Sequence, residues 1–368
     1  MKFIQPFTLR SGVTLNNRIL MAPMTISASQ ASGDVTEEEL AYYHRRAKSG
    51  IGAVITACAY INDSAPGFPD SLGAESDERI PSLKQLADSI HSGGAKAILQ
   101  IYHAGRMTNS KLLGKQPVSA SDIPALRPNA EIPRALTEEE IKATIQDFAE
   151  ATRRAIEAGF DGVELHGANT YLLQQFFSPH SNRRSDEWGG NVTERMAFPL
   201  AVVDAVKDVI AKHATKPFAI GYRFSPEEKE EPGITMDDTI MLMKALADQD
   251  IDYLHVSVNR FEAGSMRDVK DSRGRIAVIQ EAIGERIPVI GVGGLQTVEQ
   301  VEAALDVVPL VSLGHALIMD PEWYEKAVNE KEDEIFTALY LSKEKELDIP
   351  KSLWNLIMNV PGWFKVEE

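Results

Sequence analysis

The sequence has only one cysteine, Cys58, among its 368 residues. A single cysteine excludes an internal disulfide and any metal centre that is held by several thiolates. A chain with one free thiol is also typical of a reducing compartment. We therefore expect a cytoplasmic protein without a cysteine-bound metal.

The sequence is also short of positive charge and of long hydrophobic runs. It has 38 Lys and Arg residues and 54 Asp and Glu residues, which gives a formal net charge of −16. Nucleic acids and anionic membranes attract clustered Lys and Arg, so neither is an expected partner. No stretch is long enough to span a bilayer, and residues 1–12 lack the apolar core of a signal peptide. The expected partner is a small-molecule substrate, and the formation of a homo-oligomer stays open.

Eight short apolar runs, rich in β-branched residues, recur along the chain and are continuous rather than alternating. Continuous runs are typical of parallel strands that are buried on both faces of a sheet. The predicted strands are residues 18–24, 52–60, 96–103, 160–167, 216–224, 252–258, 287–294 and 308–315.

Amphipathic segments lie between these runs and begin with helix N-terminal signals. In four of them a Thr or Asn precedes a Glu or Gln by three residues, which is the spacing of a capping box. The N-terminal residues of these segments are Thr36, Thr137, Asn191 and Thr297. The longest segment, 137–159, repeats apolar residues at helical spacing and ends in glycine.

Strands that alternate with helices, with no linker or composition break, predict an α/β fold with one (β/α)8 TIM barrel over residues 1–368. Residues 1–17 are expected to form an N-terminal β-hairpin that caps the bottom of the barrel, and residues 330–368 a C-terminal helical tail. The connections 104–136 and 166–190, after strands 3 and 4, are too long to be simple turns. Long loops at the carboxyl ends of barrel strands usually carry the active site.

Polar side chains recur at these strand ends. One of them alone would be typical of a satisfied polar group at the barrel rim, but several at equivalent points indicate one common site. They are Thr25 after strand 1, Gln100 and His103 at strand 3, His166 at strand 4 and Arg223 at strand 5.

Glycines follow the last two strands. Gly293 and Gly294 follow strand 7, and Gly314 with His315 follows strand 8. Glycine allows the backbone to approach a ligand closely, and the loops after strands 7 and 8 of barrels often bind phosphate. The pattern alone does not decide whether the phosphate belongs to a sugar, a nucleotide or a flavin.

Four motifs carry a resemblance to a known family over nearly the whole chain. They are NRILMAPMT (17–25), LQIYHAGR (99–106), GFDGVELHGANTYLLQQFFSP (159–179) and NRRSDEWGG (182–190). With the paired glycine sites, they resemble the old yellow enzyme family of FMN-dependent ene-reductases.

The resemblance implies an FMN site at the mouth of the barrel. Gln100 is expected at the flavin pyrimidine edge and Arg223 near N1 and O2, where a cation favours the reduced flavin. Family members commonly have Arg where this chain has His315, so the phosphate contact of that residue is open. The other expected flavin or phosphate contacts are Pro23, Met24, Thr25, Ala57, Gly293, Gly294 and Gly314.

The resemblance also implies the chemistry. His166 and Asn169 would donate hydrogen bonds to a substrate carbonyl, and Tyr171 would deliver a proton to the α-carbon. NADH or NADPH would supply the hydride at the same open face of the flavin. The expected activity is reduction of the activated C=C bond of an enone or a related electrophile.

Three alternative functions compete with this interpretation. Larger dienoyl-CoA reductase relatives need an iron–sulfur cluster, which Cys58 alone cannot bind. A flavin- or phosphometabolite-binding sensor without turnover would not need His166, Asn169 and Tyr171 together. A metal-dependent barrel hydrolase needs a cluster of carboxylates, and Glu164 has no obvious second carboxylate nearby.

Overall fold

The computed structural model describes all 368 residues and contains a closed barrel of eight parallel strands. Each strand pairs with its neighbours, and the eighth pairs with the first, which closes the barrel. The predicted (β/α)8 fold is confirmed. The barrel strands are Ile19–Met21, Ala53–Ile55, Lys96–Tyr102, Gly162–Gly167, Ala219–Phe224, Tyr253–Val256, Val289–Gly291 and Leu310–Leu313.

Helices surround the barrel and return the chain from one strand to the next. Thr36, Thr137, Asn191 and Thr297 cap four of them, each accepting a hydrogen bond from the backbone N–H three residues later. The α-helices are Glu37–Lys48, Ile80–Ser92, Ser110–Leu113, Glu138–Glu157, Leu172–Phe177, Val192–Arg195, Ala197–His213, Met236–Ala247, Arg275–Ile283, Val298–Ala304, His315–Met319, Trp323–Val328 and Lys351–Asn359. No helix combines the length and the apolar character that crossing a membrane requires.

The second predicted strand, 52–60, is interrupted. The barrel ladder ends at Ile55, and the chain forms a separate short strand only at Ala59–Tyr60. Between them, the Thr56 hydroxyl donates to the Ala57 carbonyl at 2.9 Å and accepts the Gln100 N–H at 3.2 Å. This break turns Cys58 toward the mouth of the barrel.

The N-terminal hairpin closes the bottom of the barrel. Strands Phe7–Thr8 and Thr14–Leu15 pair in antiparallel register, and the turn contains Gly12 at φ 92°. Leu9, Val13 and Leu15 are buried with the barrel-interior side chains of residues such as Ile98 and Leu310. The apolar plug leaves the opposite end, at the strand carboxyl termini, as the open end of the barrel.

The long loops and the C-terminal segment carry short elements of their own. The loop after the third strand contains strands Val118–Ser119 and Arg134–Ala135, which pair with each other. Strands Leu339–Tyr340 and Val366–Glu367 pair across the C-terminal segment, around helix Lys351–Asn359. The 3-10 helices are Asp77–Arg79, Glu332–Glu334 and Leu341–Glu346.

Candidate active site

A cavity of about 580 Å³ lies at the carboxyl ends of the barrel strands. The structure brings to this cavity every site residue that the sequence predicted, except Ala57 and His103. The predicted residues that line the cavity are Pro23, Met24, Thr25, Gln100, His166, Asn169, Tyr171, Arg223, Gly293, Gly294, Gly314 and His315. His103 is buried outside the cavity, where its Nδ1 accepts the Gly105 N–H at 2.9 Å.

Ala57 does not line the cavity. Its N–H donates to the Tyr43 hydroxyl at 2.7 Å, and its carbonyl accepts the Thr56 hydroxyl at 2.9 Å. Both backbone groups of Ala57 are therefore engaged within the protein. The next residue, Cys58, lines the cavity instead.

A strained turn after the fourth strand carries the polar motif of residues 166–171. Asn169 and Thr170 both adopt left-handed backbone conformations, with φ of 55° and 65°. Such a conformation is rare for a β-branched residue and costs about 1–3 kcal/mol. The Ser225 hydroxyl accepts the Asn169 N–H at 3.0 Å, and the Gln174 and Gln175 side chains bond the Thr170 N–H and carbonyl. These bonds hold the turn in the geometry that faces Asn169 and Tyr171 toward the cavity.

The His166 ring is a neutral hydrogen-bond donor to the cavity. The Ala168 N–H donates to Nδ1 at 3.3 Å, so the ring proton is assigned to Nε2. Burial lowers the pKa of His166 to about 3, and Arg223 adds to the effect. The ring is therefore uncharged at neutral pH, and its Nε2–H has a fixed direction.

The Asn169 amide is oriented as a second donor. The Ser257 hydroxyl donates to Asn169 Oδ1 at 2.9 Å, which leaves the NH2 group for a ligand. Ser257 in turn accepts a bond from Arg223 Nη2 at 3.3 Å. One hydroxyl thus links the Asn169 amide to the Arg223 guanidinium.

Tyr171 stands beside these two donors as a protonated phenol. Its ring packs edge-on against His166, with centroids 4.8 Å apart, and against Tyr102 at 4.9 Å. Burial and the nearby Cys58 raise the pKa of Tyr171, which keeps its proton in place at neutral pH. The hydroxyl has no hydrogen-bond partner within the protein, so it is available to a ligand in the cavity.

Arg223 is a buried cation with unused hydrogen-bonding capacity. The side chain is 7% exposed, and neither Nε nor Nη1 has a partner. A buried donor without a partner costs about 1–3 kcal/mol. Burial lowers the pKa of Arg223, but guanidinium remains charged in proteins. The orphaned N–H groups fit an anionic or strongly accepting ligand such as the N1 and O2 edge of a flavin.

Glycines form the other end of the cavity. A Cβ on Gly293, whose φ is 124°, would lie 2.6 Å from the backbone of Arg260. Gly294 has a φ of 67°, and Gly314 precedes the helix His315–Met319. Only glycine fits at Gly293, and the exposed backbone there suits a phosphate. The residues present therefore fit FMN at both its ring and its phosphate.

His315 contributes an aromatic contact rather than a charge. Its ring stacks on Phe364 with centroids 4.2 Å apart, and Trp363 packs edge-on at 6.0 Å. Burial lowers the pKa of His315. A neutral ring brings no positive charge to the glycine end of the cavity.

The cavity also contains residues that the sequence analysis did not identify. Ser257 directly follows the sixth strand, Tyr253–Val256, and the sequence analysis assigned no residue to the end of that strand. The strand-end position of Ser257 could have revealed it. Ser312 lies inside an apolar run, and Cys58 depends on the interruption of the second strand. Leu356 and Trp363 come from the C-terminal segment. No motif in the sequence links that segment to the barrel mouth.

Comparisons with known proteins agree with this site. Residues 2–334 match the NADH:flavin oxidoreductase / NADH oxidase family. The chain is 44% identical over 361 residues to a probable NADH-dependent flavin oxidoreductase, YqiG, of Bacillus subtilis (strain 168), covering 98% of this chain and 96% of the relative.

Two further relatives are much longer proteins. An NADH:acrylate oxidoreductase of Vibrio harveyi is 45% identical, and an NADH:fumarate oxidoreductase of Klebsiella pneumoniae (strain 342) is 46% identical. The matches cover 97% and 96% of this chain but only 36% and 38% of the relatives.

Solved structures show the same fold. An old yellow enzyme homologue from Zymomonas mobilis superposes with a TM-score of 0.79 at 27% identity, over 90% of this chain and 93% of that one. Morphinone reductase in complex with tetrahydroNAD gives a TM-score of 0.77 at 26% identity, over 90% and 91%.

Proposed function

Because the chain belongs to the NADH:flavin oxidoreductase / NADH oxidase family, the family of the old yellow enzymes, we propose that it reduces C=C bonds conjugated to a carbonyl group. The enzyme is a flavin oxidoreductase that uses FMN with NADH or NADPH. One observation carries the proposal about its substrate: two neutral donors, His166 Nε2–H and the Asn169 amide, face one cavity beside the Tyr171 hydroxyl.

FMN held by Gln100, Arg223 and the glycines at the far end of the cavity would supply hydride transfer from NADH or NADPH to an electrophilic carbon. His166 and Asn169 bind the carbonyl oxygen of the substrate and draw electron density toward it. The same bonds strengthen as negative charge develops on that oxygen, since fixed donors in a water-poor site stabilise an oxyanion. The β-carbon of the substrate becomes electrophilic as a result.

Tyr171 acts at the neighbouring carbon. After hydride addition at the β-carbon, the α-carbon needs a proton, and the Tyr171 O–H lies in the same cavity without another partner. Its raised pKa means that Tyr171 holds its proton until a strong base forms on the substrate. We therefore assign Tyr171 as the general acid.

The charge state of the donors favours ketones and aldehydes. His166 and Asn169 are both neutral, which suits a neutral carbonyl oxygen. A carboxylate would gain more from a cation, and Arg223 is expected at the flavin. Acrylate and fumarate, the compounds in the names of two longer relatives, are unsaturated carboxylates. We expect this chain alone to reduce enones and enals faster than either carboxylate.

Absorbance and rapid-kinetic measurements test the proposal. The purified protein should show a flavin absorbance band that NADH or NADPH bleaches and that cyclohex-2-enone restores. Acrylate and fumarate serve as parallel acceptors. A protein that binds FMN but does not turn over any unsaturated carbonyl compound would overturn the proposed substrate class, and a protein that takes up no FMN would overturn the cofactor site as well.

Arg223 provides a separate prediction about the flavin. Arg223→Ala removes the orphaned buried donors, so FMN should bind about 10–150-fold more weakly, as the loss of about 1.5–3 kcal/mol for a bond to a charged group implies. The reduction potential of the remaining bound flavin should fall, because a cation near N1 stabilises the reduced form. Fluorescence titration of the apoprotein with FMN and a redox-dye titration measure the two effects.

Arg223→Lys is the matched variant. It keeps the charge but loses the planar fork, so its potential should lie between those of the wild type and Arg223→Ala. Wild-type FMN affinity and potential in Arg223→Ala would place the guanidinium away from the flavin.

A further inference from the structure

A chain of hydrogen bonds connects four buried polar side chains at the base of the cavity. Gln100 Nε2 donates to Glu164 Oε1 at 2.7 Å, and Glu164 Oε2 lies 2.8 Å from His255 Nδ1. His255 Nε2 lies 2.8 Å from Ser312 Oγ. Each residue is at most 2% exposed. Gln100 and Ser312 line the cavity, so the chain of bonds begins and ends there.

The position of this network in the barrel is unusual. Glu164, His255 and Ser312 come from the fourth, sixth and eighth strands, and alternate barrel strands normally contribute one layer of bulky apolar side chains. A buried carboxylate and imidazole cost free energy unless they are fully hydrogen-bonded. The proposed reaction assigns no role to Glu164 or His255. A role that connects them to the two cavity residues would account for the polar layer.

The surrounding charges decide where the protons lie. Burial raises the pKa of Glu164, but the hydrogen bonds from His255 and Gln100 and the charge of Arg223 outweigh it and keep that pKa below its usual value. Burial, together with Arg223, lowers the pKa of His255 against the opposing effect of Glu164. Tyr253, also close to Glu164, has a raised pKa and stays protonated. These directions favour an ionised Glu164 beside a neutral His255.

These charge states fix the direction of every bond. The ionised carboxylate of Glu164 can only accept, so the His255 ring proton lies on Nδ1. Nε2 of His255 is then an acceptor and takes the Ser312 O–H. Ser312 therefore presents oxygen lone pairs to the cavity. In the same way, the Gln100 amide nitrogen is held by Glu164, and its oxygen, Oε1, faces the cavity.

We propose that Glu164 and His255 are positioning residues, which fix the hydrogen-bonding atoms that Gln100 and Ser312 present to the flavin. The Gln100 oxygen can accept the N3–H of the FMN pyrimidine ring, whereas a flipped amide would oppose it with a donor. The inference rests on the proposed position of FMN beside Gln100. It goes further, because the acceptor character of Gln100 and Ser312 then depends on two residues that do not touch the cofactor.

Glu164→Gln tests this dependence because only one of the two terminal atoms of an amide, its oxygen, can accept a hydrogen bond, whereas both carboxylate oxygens of Glu164 accept one. If the new oxygen accepts the His255 Nδ1–H, the new NH2 faces Gln100, which must flip its amide. If the new oxygen faces Gln100, the new NH2 faces His255, whose proton moves to Nε2 and whose Ser312 partner then points its O–H into the cavity. In both cases, one cavity residue presents a hydrogen-bond donor where the wild type presents an acceptor.

FMN should therefore bind to Glu164→Gln about tenfold more weakly than to the wild type. The visible spectrum of the bound flavin should shift as well, since a bond to its ring changes. Glu39→Gln is the matched control: Glu39 is also 0% exposed and accepts the Ser29 hydroxyl at 2.9 Å, but it lies in helix Glu37–Lys48, away from the cavity. It should leave FMN affinity and spectrum unchanged.

A double-mutant cycle separates positioning from a general structural effect. In a Gln100→Leu, Ser312→Ala background, Glu164→Gln has no cavity group left to reverse and should cause no further loss of FMN affinity. An equal loss in both backgrounds would overturn the proposal. Unchanged FMN affinity in Gln100→Leu alone would overturn the position of the flavin itself, which is a different failure.

A measurement on the unaltered holoenzyme does not depend on whether a variant folds. Nitrogen chemical shifts from histidine labelled with ¹⁵N distinguish the two neutral tautomers and the imidazolium. His255 should be the neutral Nδ1–H tautomer. An Nε2–H tautomer or a charged ring at neutral pH would overturn the proton assignment and the proposal with it.

Discussion

Tyr171→Phe should slow enone reduction by about 10²- to 10⁴-fold, the usual contribution of a positioned general acid. Flavin reduction by NADH or NADPH should stay close to the wild-type rate, because hydride transfer to FMN takes no proton from this phenol. The variant should therefore accumulate reduced flavin during turnover. Quinones, which need no proton on carbon, should still be reduced.

The packing of Tyr171 makes Phe a clean replacement. The ring contacts His166 and Tyr102 through its edges, and a phenylalanine keeps both contacts. The hydroxyl bonds nothing within the protein, so its removal leaves no internal group unsatisfied. A change in rate in this variant therefore reports the proton and not a rearranged cavity.

Stopped-flow measurement of the two half-reactions decides the role of Tyr171. Tyr102→Phe is the control, since the Tyr102 hydroxyl accepts the Gly67 N–H at 2.9 Å and does not line the cavity. That variant should be somewhat less stable but should keep both half-reaction rates. Equal slowing of flavin reduction and enone reduction in Tyr171→Phe would show that Tyr171 has a structural role only.

The barrel could be predicted from the sequence because its signals are local. Buried parallel strands appear in the sequence as continuous apolar runs. The start of a helix can be located from four consecutive residues that form a capping box, such as those beginning at Thr137. The predicted ends of the strands were less accurate. Residues 52–60 read as one strand, although the bonds from Thr56 break the ladder after Ile55. A run of apolar residues in the sequence does not reveal such a side-chain hydrogen bond.

The parts of the site that depend on distant contacts could not be predicted. Ser257 orients the Asn169 amide across 88 residues of sequence, and Glu164 meets His255 across 91. Nothing local to Glu164 distinguishes an orienting carboxylate from a satisfied core residue. Trp363 reaches the cavity only through the packing of the C-terminal segment on His315. Strand-end position predicts which residues meet, but not which atoms they present.

His166→Ala should reduce the rate of enone reduction by about 10²- to 10³-fold, which is the usual effect of removing one donor to a developing oxyanion. Unlike Tyr171→Phe, it should also weaken binding before any chemistry occurs. Phenols, whose oxygen resembles the charged oxygen of the reaction, should bind more weakly. NADH and NADPH should bind more weakly too, since the nicotinamide carries a carboxamide oxygen and must use the same open face.

The protonation state of His166 adds a pH test. Because burial holds its pKa at about 3, the ring donates a neutral Nε2–H across the range from about pH 5 to 8. The ratio of wild-type to His166→Ala phenol affinity should therefore be flat over that range. A ratio that rises as the pH falls through about 6.5, the ordinary histidine pKa, would mean that an imidazolium binds the ligand.

His166→Asn supplies the decisive comparison, because an amide NH2 can replace the Nε2–H as a donor while it cannot become a cation. We expect it to recover much of the phenol affinity that His166→Ala loses and to keep the flat pH profile. The Asn169 amide, held by Ser257, remains in all three proteins, so the differences measure the donor at position 166 alone. If His166→Asn binds phenols no better than His166→Ala, the ring of His166 acts through its packing on Tyr171, and the two-donor account of the carbonyl site is wrong.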